Sequence, residues 1–292
     1  MMLNKYGEVF EDASLENYNT YGIKTTTKYL LKPSSINNLK ELIKYLKDSN
    51  INYYILGGGS NVILPDEKFN GVIITLEKLN NIKIDETKVY VEVGISLSIF
   101  INECIKHSLG GLENLMGIPG TLGGALYGNA GVKDSSIYDY LESITVLKNN
   151  EIITILKKDI DIDYRNTMFK GTDTIIIAAK FNLYKDDKNK LLKVVEENRK
   201  KRLHSQPLKF KNAGSVFKNP KDDYAGRLIE NLGLKGYTIG GAQVSLMHAN
   251  FIINTGNATS KDIKKLIKYI KEKVYEKYNI DLELEQIIIE WE

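Results

Sequence analysis

The sequence predicts a mixed α+β chain of two domains, and three observations carry that expectation. Its 292 residues exceed one typical domain of roughly 100–200 residues. Helical and strand periodicities are interleaved along its length rather than segregated. A polar segment, KDDKNK at 185–190, falls where strand pattern gives way to helix and reads as a linker. With 42% hydrophobic and 26% charged residues the composition is that of an ordinary globular enzyme. A formal charge of +3 is too small for the strongly basic face of a nucleic-acid binder. Residues 1–16 carry no basic-then-apolar signal pattern, and no run approaches a membrane span, so a cytoplasmic protein is expected.

The elements follow in order. Residues 34–50, SSINNLKELIKYLKDSN, put Ile36, Leu39, Leu42, Ile43 and Leu46 on one helical face. A strand at 53–56 runs into the loop GGGSN, and a second apolar run covers 71–76. Val89, Val91 and Val93 alternate with Tyr90 and Glu92, the pattern of a half-buried strand. Leu97, Phe100, Ile101 and Cys104 then suggest a helix, and Cys104, the only cysteine, reads as core packing. Residues 117–131 fit neither period and read as a folded loop; strands recur at 142–148, 151–156 and 174–183. A helix at 191–202 ends in the basic cluster RKKR at 199–202, either a solvated helix end or a contact for an anionic substrate. Another helix covers 225–232, stopped by Gly233. The next starts at Thr259 or Ser260 as N-cap, with Ile263, Leu266, Ile267, Ile270 and Val274 inward. A last strand starts near Asp281, with Leu282 and Leu284 facing one way and Glu283 and Glu285 the other. One cysteine allows no internal disulfide, and His107, His204 and His248 lack metal-ligand spacing, so no metal is expected.

The chemistry concentrates in two glycine loops. In ILGGGSNVIL, 55–64, three glycines after a strand let backbone approach a ligand, and their amides can form an anion nest that Ser60 and Asn61 extend. The loop matches neither the phosphate loop ending in Gly-Lys-Ser/Thr nor the G-x-G-x-x-G fingerprint, and alone it is equally a structural turn. The second loop, GIPGTLGGALYGNAG at 117–131, holds more glycine than a turn needs and suits a planar ring or a second part of one phosphate chain.

Together with YRNTMFK at 164–170, GSVFKNP at 214–220, AGRLIENLGLKGYTIGGAQVSLMHANFIINTGNAT at 225–259 and LELEQ at 282–286, these loops resemble the UDP-N-acetylenolpyruvoylglucosamine reductase family, in family order from about Asn17 to Glu285. The short spacing between YRNTMFK and GSVFKNP is similar to the family's shorter class, which lacks an extra substrate-covering loop. The chain departs from the family pattern at Lys24 and Thr25, where a Gly-Gly pair is usual, and in KFKNAGS, where a proline is usual.

The resemblance implies an FAD-binding module of the vanillyl-alcohol-oxidase type at 17–186, in two subdomains of about 17–77 and 78–186, followed by a smaller substrate domain at 190–292. It implies non-covalent FAD on Leu56, Gly57, Gly58, Gly59, Ser60 and Asn61, and on Gly117, Ile118, Pro119, Gly120, Thr121, Gly123, Gly124, Asn129 and Gly131. Neither loop contains the His or Cys that tethers flavin in related oxidases. The implied reaction reduces the enolpyruvyl ether of a nucleotide sugar to a lactyl ether, with NADPH as hydride donor. No separate NADPH site is legible, so a shared cleft and a ping-pong cycle are expected. Hydride on the vinylic CH2 leaves negative charge beside the carboxylate, which calls for a cationic clamp and a proton donor. Arg165 supplies a planar fork matched to a carboxylate. The resemblance implies Ser215 as the proton donor, and no G-x-S-x-G elbow makes it a hydrolase nucleophile. The resemblance favours Glu285 over Glu283 as the second clamp, since it matches the second glutamate of the family's L-E-x-E motif, either protonated and donating or ionised and orienting Arg165 or a water. Tyr164, Gln206, Lys218 and Asn219 are implied substrate contacts. Two rivals, another flavoprotein oxidase and a nucleotide-sugar binding protein without catalysis, are separated by a yellow, NADPH-reducible preparation.

Overall fold

The structure is a computed structural model that describes residues 3–132 and 134–291. The chain divides into two compact units. Unit one comprises Met1–Glu11, Tyr29–Gly58 and Asn70–Lys200; unit two comprises Asp12–Lys28, Gly59–Phe69 and Lys201–Glu292. The division is thus discontinuous and does not fall at 186–190. That polar stretch is part of the fold: Tyr184–Lys185 pairs with Leu109–Gly110, and a helix starts at Lys188. Its polarity reflects exposure, not a flexible connection.

In unit one, α1 (Ile36–Asp48) starts on Ser35, whose Oγ accepts from the Asn38 N–H at 3.1 Å, and buries Leu39, Leu42, Ile43 and Leu46. A four-stranded sheet runs in the order Gly7–Ser14, Thr26–Pro33, Phe69–Thr75, Tyr53–Leu56, the last two strands parallel. A second, antiparallel sheet has the order Glu151–Leu156, Leu141–Lys148, Ile175–Asn182, Lys88–Glu92, Ile82–Asp85. The valine alternation at 89–93 forms its strand, but Glu92 is buried rather than solvent-facing. Its carboxylate accepts from the Asn81 backbone at 3.1 Å and the Asn81 amide at 2.8 Å. Against this sheet lies α2 (Leu97–Lys106), Phe100 meeting Phe181 at 5.3 Å between ring centroids. Cys104 is core there, burial raising its thiol to about 12.

The glycine-rich stretch 117–131 is not all loop. It contains α3 (Leu122–Tyr127), capped by Thr121, with Leu122, Ala125 and Leu126 buried. Two of its six residues are glycine, which hid its helical character from the sequence. The helix expected at 191–202 is longer, α4 (Lys188–Ser205).

Unit two has its own core, built from Tyr21, Ile23 and Ile63 together with residues from 213 onward. There α5 (Ala225–Asn231) and α6 (Ser260–Tyr278) accompany a three-stranded antiparallel sheet of Thr238–Ile239, Ala242–Val244 and Ile252–Asn254. Thr259 is the N-cap of α6, in a capping box with Asp262, and the five expected side chains are buried. Residues 281–286 do not form the regular strand expected. Only Leu284 bridges Phe217, and regular pairing starts at Ile287–Ile288, parallel to Val62–Ile63. No helix among the described residues is long and apolar enough to cross a membrane.

Candidate active site

In unit one the two glycine loops touch backbone to backbone. A Cβ on Gly58 would lie 2.6 Å from the Gly120 Cα, so no other residue fits there. Among the described residues, the N–H groups of Gly57, Gly58, Gly117, Gly120 and Thr121 donate to no protein acceptor. Gly57, Gly58 and Gly117 are also exposed. Clustered backbone donors beside Cβ-free backbone suit an anion, and two contacting segments suit a pyrophosphate. The residues present therefore fit the phosphate chain of a dinucleotide cofactor.

Not every loop residue is free for such a role. Leu56 is buried at the strand end. The Ile118 N–H donates to Leu115 O at 3.1 Å, the Gly123 N–H to Val93 O at 2.9 Å, and the Gly124 N–H to Thr121 Oγ1 at 3.3 Å. These three amides build the loop. Pro119 lies exposed between Ile118 and Gly120. Asn129 donates through Nδ2 to Asp163 O and accepts from Ser136 Oγ, both at 2.8 Å.

Arg165 is held against this second loop. Its Nη1 donates to Asn129 O at 3.2 Å and its Nη2 to Gly131 O at 2.7 Å, while its guanidinium lies 5.5 Å from the Tyr164 ring centroid. Its backbone is left-handed, φ 55°, and Lys170 Nζ donates to its carbonyl at 2.7 Å. Thr167 Oγ1 adds a 2.8 Å bond to Tyr127 O. YRNTMFK is thus bolted along 127–131, which places Arg165, Tyr164, Asn129 and Gly131 together.

In unit two, Gly59 O accepts from the Thr20 N–H at 3.0 Å. Asn61 Nδ2 donates to Glu285 O at 3.0 Å, and the Ile287 N–H donates to Asn61 O at 3.0 Å. The Asn61 amide thus ties the loop to the C-terminal segment; Ser60, beside it, is half-buried.

Ser215 follows Gly214, whose φ of 76° is costly for any side chain. Two buried amides grip the chain on either side. Asn250 Oδ1 accepts from the Phe217 N–H at 3.0 Å and its Nδ2 donates to Phe217 O at 2.8 Å, while the Val216 N–H donates to Asn250 O at 2.9 Å. Upstream, Gln286 Nε2 donates to Ala213 O at 3.0 Å and Gly214 O at 3.2 Å, and its Oε1 accepts from Tyr21 Oη at 3.0 Å. Two carbonyl acceptors on one side and a hydroxyl on the other fix the orientation of that amide. Burial of Tyr21 raises its phenol's pKa, so it stays a donor. Glu285 lies beside Ser215 in chain pairing, its N–H donating to Val216 O at 2.9 Å. Sequence reasoning missed Asn250, Gln286 and Tyr21; the only signal for the first two was their place inside quoted motifs, and Tyr21 carried none.

The remaining expected contacts are engaged within the protein. Lys218 pairs with Glu283. Asn219 Oδ1 accepts from the Ala225 N–H at 3.1 Å, at the start of α5. Gln206 is half-buried, its N–H donating to Arg202 O at 2.9 Å. The basic cluster is not uniformly solvated: Arg202 is half-buried, burial lowers its pKa, and its Nε meets no hydrogen-bond partner among the described residues. No group of three or more His, Cys, Asp or Glu among the described residues could hold a metal.

Comparison with known proteins bears on the whole chain. Residues 27–156 match an FAD binding domain model, and residues 206–289 match the model described as UDP-N-acetylenolpyruvoylglucosamine reductase, C-terminal domain. The UDP-N-acetylenolpyruvoylglucosamine reductase of Caldanaerobacter subterraneus subsp. tengcongensis is 39% identical over 95% of this chain and 92% of its own length. That of Caldicellulosiruptor bescii is 41% identical over 98% and 92%. The solved structure of the Thermus caldophilus reductase superposes with a TM-score of 0.81 at 31% identity, covering 98% of both chains.

Proposed function

The chain belongs to the UDP-N-acetylenolpyruvoylglucosamine reductase family, and on that premise we propose how its own residues serve the reaction. It reduces UDP-N-acetylglucosamine enolpyruvate to UDP-N-acetylmuramate with NADPH through FAD, in peptidoglycan precursor synthesis. The two glycine loops would hold FAD, which would supply hydride transfer between NADPH and the vinylic CH2 of the substrate. The observation that carries the reading is the pair of contacting glycine loops with unengaged amides, against whose second member Arg165 is held.

On this reading the amides of Gly57, Gly58, Gly117, Gly120 and Thr121 bind the pyrophosphate, with Gly59 and Ser60 continuing the first loop. Arg165 binds the substrate carboxylate and stabilises the charge that develops beside it. Ser215 delivers the proton to the carbon bearing that carboxylate. Glu285 is the second polar group at the carboxylate end. Tyr164, Gln206, Lys218 and Asn219 contact substrate, Lys218 by exchanging its Glu283 partner for a substrate anion. The protein acts in the cytoplasm, where NADPH and nucleotide sugars are held, without nucleic-acid or membrane partners.

Stopped-flow flavin absorbance tests the reading, with each half-reaction started separately. Ser215→Ala leaves flavin reduction by NADPH near the wild-type rate and slows reoxidation by the enolpyruvyl sugar about 10²–10⁴-fold. An unchanged reoxidation rate removes Ser215 from proton delivery.

A further inference from the structure

We propose that Gln286, supported by Tyr21, is a positioning residue that sets the turn presenting Ser215. The proposal rests on the reading of Ser215 as the proton donor. Ser215 lies between two amide grips of different kinds. Downstream, Asn250 satisfies both the N–H and the carbonyl of Phe217, as a neighbouring strand would. Upstream the pairing is confined to isolated bridges, Ser215 with Phe251 and Lys211 with Asn254. A Cβ on Gly214 would meet nothing within 4 Å, so side-chain packing does not enforce this left-handed turn. What holds it is hydrogen bonding: the Gly214 N–H donates to Asn212 Oδ1 at 3.0 Å, and the Ala213 and Gly214 carbonyls take both hydrogens of the Gln286 amide.

That amide is itself locked. Its oxygen is occupied by the hydroxyl of Tyr21, a side chain with no solvent exposure, and Gln286 is only 3% exposed. Every polar atom of the Gln286 side chain thus has a partner, and a single amide orientation satisfies all of them. Gln286 also directly follows Glu285, whose N–H is paired to Val216 O, so one short segment registers both candidate catalytic side chains. Losing the amide frees two carbonyls at a turn without packing support. The Ser215 hydroxyl then moves by a distance on the scale that proton transfer tolerates least.

Three variants test this in the full, FAD-loaded protein. Gln286→Leu is expected to slow reoxidation by the enolpyruvyl sugar about 10²-fold, leaving reduction by NADPH and the sugar's KM near wild type. Tyr21→Phe gives the same pattern at roughly a tenth of that size. Gln286→Glu recovers reoxidation as pH falls, because the protonated carboxyl donates to one carbonyl while the carboxylate repels both. Without flavin, amide hydrogen exchange in the peptide spanning 210–220 rises in Gln286→Leu. The deciding measurement is the double variant Ser215→Ala/Gln286→Leu, which should reoxidise no more slowly than Ser215→Ala alone. A further loss equal to that of Gln286→Leu, or an equal fall in both half-reactions, overturns the proposal. If Ser215→Ala is slow while Gln286→Leu runs at the wild-type rate, positioning fails and the Ser215 reading stands. If Ser215→Ala itself is unaffected, the Ser215 reading has failed instead. Where Gln286→Leu does not fold, Tyr21→Phe and Gln286→Glu decide by the same criteria.

Discussion

On the proposed reading, Arg165 carries two duties through one guanidinium. The sequence assigns it to a substrate carboxylate, and the structure adds that its two terminal nitrogens hold the carbonyls of Asn129 and Gly131. A lysine keeps the charge but cannot span both carbonyls, because its donors radiate from one nitrogen. Arg165→Lys should therefore lower kcat/KM for the enolpyruvyl sugar by about 10–100-fold, the cost of a charged hydrogen bond. It should also weaken FAD retention, measured by flavin release on dilution; unchanged retention would show that the latch on 127–131 does not support the cofactor loop. His248 gives a pH prediction at the same scale. Burial, then the nearby Lys235 charge, lowers its pKa, and its Nδ1 accepts from the Asn250 N–H at 3.2 Å, which requires the neutral ring. The unfolded chain takes up the proton first as pH falls. Stability should thus be full above about pH 6.5 and decline below it, until the folded-state value is reached. His248→Gln should flatten that decline in urea titrations run across the same range, and an unaltered slope would assign the decline to other groups.

At the scale of elements, α6 shows how a sequence signal becomes measurable stability. Thr259 and Asp262 close a capping box, so Thr259→Ala should cost about 1 kcal/mol in urea denaturation. Burial would raise the Asp262 carboxyl, but the N–H groups of Thr259 and Gly241 outweigh it, and its pKa is lowered. Its contribution is accordingly present above the ordinary aspartate value of about 3.9 and lost as pH falls through the lower folded one. Asp262→Asn should therefore lose most relative to wild type near neutrality and least in strong acid. Elements of this kind were legible because cap and apolar stripe coincide, as in α1 and α6. The helix at 122–127 was not, since its glycines erase the stripe and Thr121 is the one cue to its start. Residues 281–286 show the opposite error: Leu282 and Leu284 alternate with glutamates because one side is covered, and the ladder itself starts only at Ile287. For the site, the glycine loops were readable because only glycine permits contacts such as that of Gly58 with Gly120. Gln286 and Asn250 were not, because a buried amide reports its partners only once the chain has folded.

For the whole molecule, the absence of His or Cys from 55–64 and 117–131 predicts that acid precipitation carries all flavin into the supernatant; colour in the pellet would indicate a covalent link. FAD added to apoprotein at 100 times its Kd should contribute about 2.7 kcal/mol by mass action, a rise in Tm of several degrees by calorimetry. The discontinuous make-up of unit two reaches beyond equilibrium. Its core needs Tyr21, Ile23 and Ile63, and the Val62–Ile63 strand must await Ile287–Ile288, which lie far downstream in the chain. On the ribosome, segments 12–28 and 59–69 therefore wait with apolar side chains unburied until residues 201–292 follow, whereas unit one has all its residues available once Lys200 is made. A gene fragment encoding only 201–292 lacks those early contributions and should emerge from cells as insoluble material, even though it contains Ser215, Gln286 and the whole of the C-terminal family match.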